Sequence, residues 1–343
     1  MKVGIIGATG YSGEWLVRLL SRHPQAELAL VASRSQIGKT LDEVMPGVAG
    51  PKRELKFVSS EVHELAANEE VTHYFLALPH GVAAEYALPL VEAGKTVIDL
   101  SADFRLDSPE LYATYYGAEH PAKEWLPRVP YVLPEIAEDR GDDWRASQLL
   151  ACPGCYPTSV QLPLYPLLKD KLISPEGLII NSLSGVSGAG RKATEFFSFS
   201  ERQGSVLAYG APNHRHTAEI EEQLADFAGT DVLVQFTPHL IPVHAGIQTT
   251  IVGQAQGSID ALYDAWQSVY GESAFVDVLP SGTFPETKHV VGSNHCRMSA
   301  VFDPRTKRFV ITSVIDNLIK GASGQAIQIL NLLAGWPEDE GLK

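Results

Sequence analysis

The chain has 343 residues, of which 45% are apolar and 20% charged, the balance of a globular protein with room for about two domains. Its formal net charge is −14, from 27 basic and 41 acidic residues. That speaks against nucleic-acid binding as the main activity, although a few local arginines can still attract an anionic substrate. Three cysteines are too few for a disulfide framework, and no apolar run approaches the ~20 residues of a membrane span. The chain opens directly on "KVGIIG", without the basic and long apolar regions of a signal peptide, so a cytoplasmic location with reduced thiols is expected.

"KVGIIG" predicts a first strand ending at Gly7. "YSGEWLVRLLSRHP" follows as a helix, with Trp15, Leu16, Leu19 and Leu20 on one face and Pro24 as its stop. "ELALVAS" and "THYFLALP" predict strands, "GVAAEYALPLVEAG" a helix and "KTVIDLS" a further strand. Strands separated by helices of this length imply βαβ units and a parallel sheet.

Between the first strand and helix stand Gly7, Thr9, Gly10, Tyr11, Ser12 and Gly13. Glycines there let the chain turn sharply and bring backbone N–H groups up to a pyrophosphate at the helix start. The spacing is G-x-x-G-x-x-G rather than the usual G-x-G-x-x-G; a plain tight turn is the alternative. Glu27 lies at the sequence distance of a ribose-binding acid, but it opens the second strand, whereas the ribose lies beyond that strand's carboxyl end. Ser33 and Arg34 occupy that end. A cation and hydroxyl there suit a 2′-phosphate, which favours NADP(H) over NAD; a solvated surface arginine is the other reading of Arg34.

After about residue 150 the texture changes. "EGLIINSLSGVSG", "DVLVQFTPHLIPV", "GIQTTIVGQ" and "RFVITSVID" predict longer β-branched strands with fewer helices between them, hence a mixed or antiparallel sheet. "NLIKGASGQAIQILNLLAGW" predicts a closing helix. The expected fold is α/β: a Rossmann-type dinucleotide-binding domain (residues 1–153 plus about 317–343) with an inserted α+β catalytic and dimerisation domain (154–316).

"LLACPGCYPTSV" carries Cys152 and Cys155. A structural zinc site needs further close ligands, and no second C-x-x-C exists, so no metal is expected. Cys152 ends an apolar strand and reads as a small buried hydrophobe. Cys155 precedes a helix that can start near Pro157, where the dipole and open N–H groups stabilise a thiolate and can hold an oxyanion. It is the candidate nucleophile, and Cys296 reads as structural. A base is sought in "YGAPNHRHTAEIEEQL", with Thr217 as expected N-cap of a helix and His216 just outside it. His216 and His214 both remain candidates, as do His239 and His244. In "SLSGVSGAGRKATE", Ser187 and Gly188 offer close backbone approach, and Arg191 and Lys192 bring cations, which suits an anion or nicotinamide; a solvated loop is the alternative.

"GATGYSG", "LSADFRL", "PGCYPTSVQL", "SGVSGAGRKA", "YGAPNHRHTAEI", "FTPHLIPV" and "DNLIKGASGQAIQ" together resemble the N-acetyl-γ-glutamyl-phosphate reductases, arginine-pathway members of the aspartate-semialdehyde dehydrogenase superfamily. The likeness runs from residue 1 to about 335. It implies NADPH-dependent reduction of a small acyl phosphate to a semialdehyde through a cysteine thioester, with release of phosphate. It places the nucleophile at Cys155 and the base at His216, and sets the segment beginning at Asn317 beside the nicotinamide. Arg191 and Arg105 are candidates for the substrate's phosphate or another anionic group, and His214 for a substrate contact. A homodimer or homotetramer is expected, without nucleic-acid or membrane partners. Ala245 stands where an arginine is expected. A reductase of carrier-protein-linked aminoadipyl or glutamyl phosphate, and a non-catalytic NADP sensor, are the rival readings.

Overall fold

The computed structural model describes residues 1–48, 50–139 and 144–343. The chain forms two compact units, one of Met1–Pro153 with Ala322–Lys343 and one of Gly154–Gly321.

The first unit contains a six-stranded sheet in the order β3-β2-β1-β4-β5-β6. Its strands are β1 (Lys2–Ile6), β2 (Glu27–Ala32), β3 (Phe57–Val58), β4 (His73–Leu76), β5 (Thr96–Asp99) and β6 (Leu149–Ala151). All neighbours are parallel, the doubly wound order of dinucleotide-binding folds. Such strands are buried on both faces and read as apolar runs; Val3, Ile5 and Ile6 of β1 and Tyr74, Phe75 and Leu76 of β4 are at most 1% exposed. The helix Ala83–Glu92 gets its initial donors satisfied from a distance. Asp103 accepts from the N–H groups of Gly81, Ala83 and Ala84 at 2.6, 2.9 and 3.3 Å, satisfying groups that an α-helix cannot pair itself.

The closing helix is Gly324–Leu333, preceded by a π-helical turn at Ile319–Ser323. Residues Gly324 to Asn331 are all buried, and the helix packs on the helix Tyr11–Leu20, on Pro134–Ala137 and on β5. The crossing into this unit falls after Gly321, a few residues later than the expected 317. Asp316 accounts for the delay: its carboxylate accepts from Leu318 and Ile319 N–H at 2.7 and 3.3 Å and from Gly292 N–H at 2.8 Å. Those bonds hold the segment in the other unit.

The second unit contains a seven-stranded sheet in the order β11-β12-β13-β10-β7-β9-β8. These are β7 (Leu178–Gly185), β8 (Leu207–Ala208), β9 (Val234–Ile241), β10 (Ile247–Gln254), β11 (Val276–Val278), β12 (Cys296–Asp303) and β13 (Arg308–Ile315). It is mixed: β7–β9 and β11–β12 are parallel and the remaining pairs antiparallel. Alternation is clear in β10, whose odd-numbered residues from Ile247 to Gly253 are buried while the even ones are partly exposed. On this sheet lies the cysteine helix, Cys155–Lys169, against β10 and β13 and beside the histidine helix, His216–Ala228. Every residue from Tyr156 to Leu168 is buried, so this helix has no solvent face, as befits the centre of a core.

Candidate active site

The glycine loop has the shape a dinucleotide needs. Gly7 has φ 89°, and a Cβ there would lie 2.3 Å from the Ala77 carbonyl oxygen. Only glycine fits both the left-handed backbone and that approach. A Cβ on Gly13 would lie 2.3 Å from the Gly7 carbonyl oxygen, so the helix sits directly on the loop. Gly10 donates its N–H to Gly7 at 3.2 Å and stands at the N-cap of the helix Tyr11–Leu20, with no side chain capping it. A helix start left open in this way suits an anion. Thr9, Tyr11 and Ser12 are half-buried around it, and the Ser12 carbonyl accepts from the Ser323 hydroxyl at 2.8 Å.

At the carboxyl end of β2, Ser33 is buried and its hydroxyl accepts from Ser35 N–H at 3.3 Å. Arg34 is exposed and lines a cleft of about 240 Å³ with Ser60, Glu61, Val62, Glu85 and Tyr86. Glu27, at the other end of the strand, is paired with Lys52 at 3.0 Å. Glycine cradle, open helix start and a cation past β2 fit a dinucleotide with a phosphorylated ribose.

Arg105 is buried, with Nε on the Cys152 carbonyl at 2.9 Å and Nη2 on the Leu100 carbonyl at 2.7 Å. These bonds brace the chain after β5 against the chain after β6. Cys152 is fully buried, its Sγ 3.7 Å from the Ala322 carbonyl oxygen and 3.8 Å from Gln325 Nε2. No disulfide is formed by any of the three cysteines, and Cys296 is buried at the start of β12.

In the second unit Cys155 is the first residue of its helix, two positions before the expected start, with Gly154 as N-cap. Its side chain is half-buried, so a reagent can reach it. The Gly154 N–H is held by the Glu219 carboxylate at 2.7 Å. Glu219 is 1% exposed and sits three residues after His216, on the same side of the histidine helix. Gly321 faces Cys155: a Cβ built there would lie 2.6 Å from the Cβ of Cys155.

His216 belongs to its helix as first residue, and Thr217 lies inside it rather than at the N-cap. The reason is that His214 caps the turn: its Nδ1 accepts the His216 N–H at 3.1 Å and its carbonyl the Thr217 N–H at 2.8 Å. Burial, helped by the charge of Arg215, pushes the His214 imidazole down to about 4. It is therefore neutral near pH 7 with one ring nitrogen engaged. His214 packs among His216, Tyr209, Tyr156 and Phe236, with ring centres 5.1–5.6 Å away. The Tyr156 and Tyr209 hydroxyls meet at 2.9 Å; burial raises both phenols, that of Tyr209 to about 12. His216 is 7% exposed.

The second glycine loop is anchored by Asn317. Its Nδ2 donates to the Ser187 hydroxyl at 3.0 Å and its Oδ1 accepts from Gly246 N–H at 2.8 Å. Ser187 is buried and bonded through its N–H to the His244 carbonyl at 3.0 Å. Gly188, Arg191 and Lys192 are exposed. Sequence reading missed Glu219 and Gly321. Glu219 could have been found from its three-residue offset to His216; nothing near Gly321 in the chain announces Cys155. Among the described residues, no group of three His, Cys, Asp or Glu side chains could hold a metal ion, and no helix is long and apolar enough to cross a membrane.

Residues 2–143 match the family described as semialdehyde dehydrogenase, NAD binding domain, and residues 155–317 match semialdehyde dehydrogenase, dimerisation domain. Among curated relatives, the N-acetyl-gamma-glutamyl-phosphate reductase of Desulforamulus reducens is 45% identical over 344 residues, covering 100% of this chain and 98% of that one. The protein of the same name from Akkermansia muciniphila is 44% identical over 346 residues, with coverage of 100% and 98%. Among solved structures, aspartate semialdehyde dehydrogenase II from Vibrio cholerae superposes with a TM-score of 0.73 at 20% identity, over 97% of this chain and 98% of that chain. The aspartate semialdehyde dehydrogenase with NADP from Candida albicans gives 0.70 at 18%, over 97% and 98%; at these identities the likeness is one of fold. With two adjoining domain matches and full-length relatives at this identity, the chain belongs to the N-acetyl-gamma-glutamyl-phosphate reductase family of the semialdehyde dehydrogenases.

Proposed function

We propose that this protein reduces N-acetyl-γ-glutamyl phosphate to N-acetylglutamate 5-semialdehyde with release of phosphate, as a cytoplasmic homodimer or homotetramer in arginine biosynthesis. The observation that carries the reading is Cys155 at the first position of a buried helix, with its preceding amide held by Glu219 from the helix that His216 begins. The relatives' shared name supports the choice of substrate.

Cys155, as thiolate, attacks the acyl carbon, and open N–H groups at the start of its helix stabilise the oxyanion. Phosphate leaves and a thioester remains on Cys155. Arg191, exposed on its glycine-rich loop, is assigned to the phosphate, because a guanidinium can bind it bidentately. NADPH, when bound to the glycine loop with its 2′-phosphate by Ser33 and Arg34, supplies the hydride. His216 moves the proton as the resulting thiohemiacetal collapses and Cys155 is regenerated. His214 stays neutral and keeps His216 in place; Ser187, Gly188 and Asn317 shape the nicotinamide side.

The test runs the reaction backwards. Free N-acetylglutamate semialdehyde with NADP⁺ should yield NADPH only when inorganic phosphate or arsenate is present. Oxidation without either anion would contradict acyl-phosphate chemistry. Turnover of a carrier-bound substrate alone would move the protein to the carrier-linked class.

A further inference from the structure

The cysteine helix has two prolines in its interior, Pro163 and Pro166. Proline has no N–H, so the carbonyl four residues earlier loses its helical donor. Here those carbonyls belong to Ser159 and Leu162, both fully buried, where an unmade bond is most costly. Each has a donor from another element. The Ser313 hydroxyl, on β13, donates to the Ser159 carbonyl at 2.5 Å. The Tyr270 hydroxyl, ending the helix Ile259–Tyr270, donates to the Leu162 carbonyl at 2.6 Å. One residue on, the Trp266 indole N–H donates to the Pro163 carbonyl at 2.9 Å.

A row of hydroxyls meets the same turn. Ser182, Thr249 and Ser313 are register partners across β7, β10 and β13. Thr249 lies 2.7 Å from both Ser182 and Ser159 oxygens, and Ser159 donates to the Tyr156 carbonyl at 2.8 Å. A hydroxyl has one proton, so the chain is directed: Ser182 donates to Thr249, Thr249 to Ser159, and Ser159 to the backbone beside Cys155.

A helix bonded only to itself can slide or turn with little loss of hydrogen bonding. This one has handed two carbonyls to fixed outside donors, so any slide or turn breaks buried bonds. Cys155 precedes Ser159 by about one turn and Leu162 by about two. We propose that Ser313 and Tyr270 are positioning residues for Cys155, acting as surrogate donors for the two carbonyls that the prolines leave unpaired. This rests on the reading of Cys155 as nucleophile and extends it to what aims the thiol.

The experiment uses the prolines as their own control. Ser313→Ala and Tyr270→Phe are made alone and combined with Pro163→Ala or Pro166→Ala, each of which returns an N–H. Three quantities are read on the full chain: the rate of Cys155 alkylation by iodoacetamide, scored on its peptide by mass; kcat and KM in the phosphate-dependent oxidation; and the thermal midpoint. Ser313→Ala should slow alkylation and lower kcat by about ten- to a hundredfold, the scale of an ångström-sized misplacement, with KM for NADP⁺ little changed. Pro163→Ala should restore both rates in Ser313→Ala but not in Tyr270→Phe, and Pro166→Ala the reverse. A lowered melting point with a wild-type alkylation rate would reduce both residues to structural supports and overturn the proposal, as would rescue without that pairing. If one single variant folds poorly, the other with its matching proline carries the same test. Undiminished turnover in Cys155→Ser would instead sink the nucleophile reading, and the alkylation comparison would still decide the positioning one.

Discussion

Gly321 has no side chain because Cys155 occupies the space: a Cβ on residue 321 would stand 2.6 Å from the Cβ of Cys155 and 3.0 Å from its Cα. Non-bonded carbons settle at roughly 3.5–4.0 Å. The backbone at Gly321 is helical, so alanine suits its conformation and only the contact forbids it. Gly321→Ala should therefore lower kcat about a hundredfold by displacing the thiol, with NADPH affinity measured by fluorescence titration unchanged. Ordinary turnover would show that the two segments part easily.

Cys155→Ser should lose nearly all reductase activity and retain both the fold and NADPH binding, while Cys152→Ala keeps most activity. Cys152 is fully buried beside Gln325 and Ala322, so its loss is a packing change. Steady-state assays of the two variants side by side decide the matter, and equal behaviour would end the single-nucleophile reading.

Glu219 should prove important to stability through its bond to the backbone amide before Cys155. Hydrogen bonds to charged groups contribute roughly 1.5–3 kcal/mol. Glu219→Ala leaves the Gly154 N–H without its 2.7 Å acceptor and should cost stability on that scale in urea unfolding. Glu219→Gln keeps an acceptor oxygen and should recover part of it.

Arg34→Ala should weaken NADPH roughly tenfold to a hundredfold, the loss of one charge-assisted hydrogen bond, and leave NADH nearly unaffected. Titrating both cofactors into the variant is sufficient. Equal weakening would place Arg34 away from the ribose phosphate.

Two buried groups give stability opposite pH dependences. Burial pushes Asp99 up to about 7. The folded state thus holds a proton that the unfolded state has released, and the stability contributed below pH 3.8 is lost as pH rises through about 7. His214 is the reverse, held at about 4 against 6.5 when unfolded. Its contribution is complete above 6.5 and lost as pH falls towards 4. Melting curves from pH 4 to 8 should show the neutral-side decline flattened in Asp99→Asn and the acid-side decline flattened in His214→Gln. Unchanged slopes in both variants would refute the assignments.

Legibility followed the range of the interactions. The glycine loop could be read because three glycines, a strand and a helix are consecutive; so could Cys155, whose setting is local. The parallel sheet followed from apolar runs separated by helices. Asp103 looked like part of a motif, and only the fold reveals it as a cap for residues some twenty positions earlier. The start of the histidine helix was misplaced because Thr217 is a good local cap, yet His214, packed in an aromatic cluster, took the role. Ser182, Thr249 and Ser313 were illegible, since their meaning lies in register across three strands. Pro163 and Pro166 lie inside a helix whose substitute donors, Ser313 and Tyr270, come from distant parts of the chain.

The first unit is completed by the last 22 residues of the chain, Ala322–Lys343, whose helix lies on the helix Tyr11–Leu20 and on β5. On a ribosome these partners are made well apart in time, with the whole of Gly154–Gly321 synthesised between them. The inserted unit is continuous and can close as it emerges. At about 5–20 residues per second, the amino-terminal sheet waits on the order of ten to forty seconds for its final helix, keeping an apolar groove open meanwhile. Truncation just before Gly324 should thus yield nascent chains that bind holdase chaperones persistently, and a synthetic peptide of the missing segment should release them.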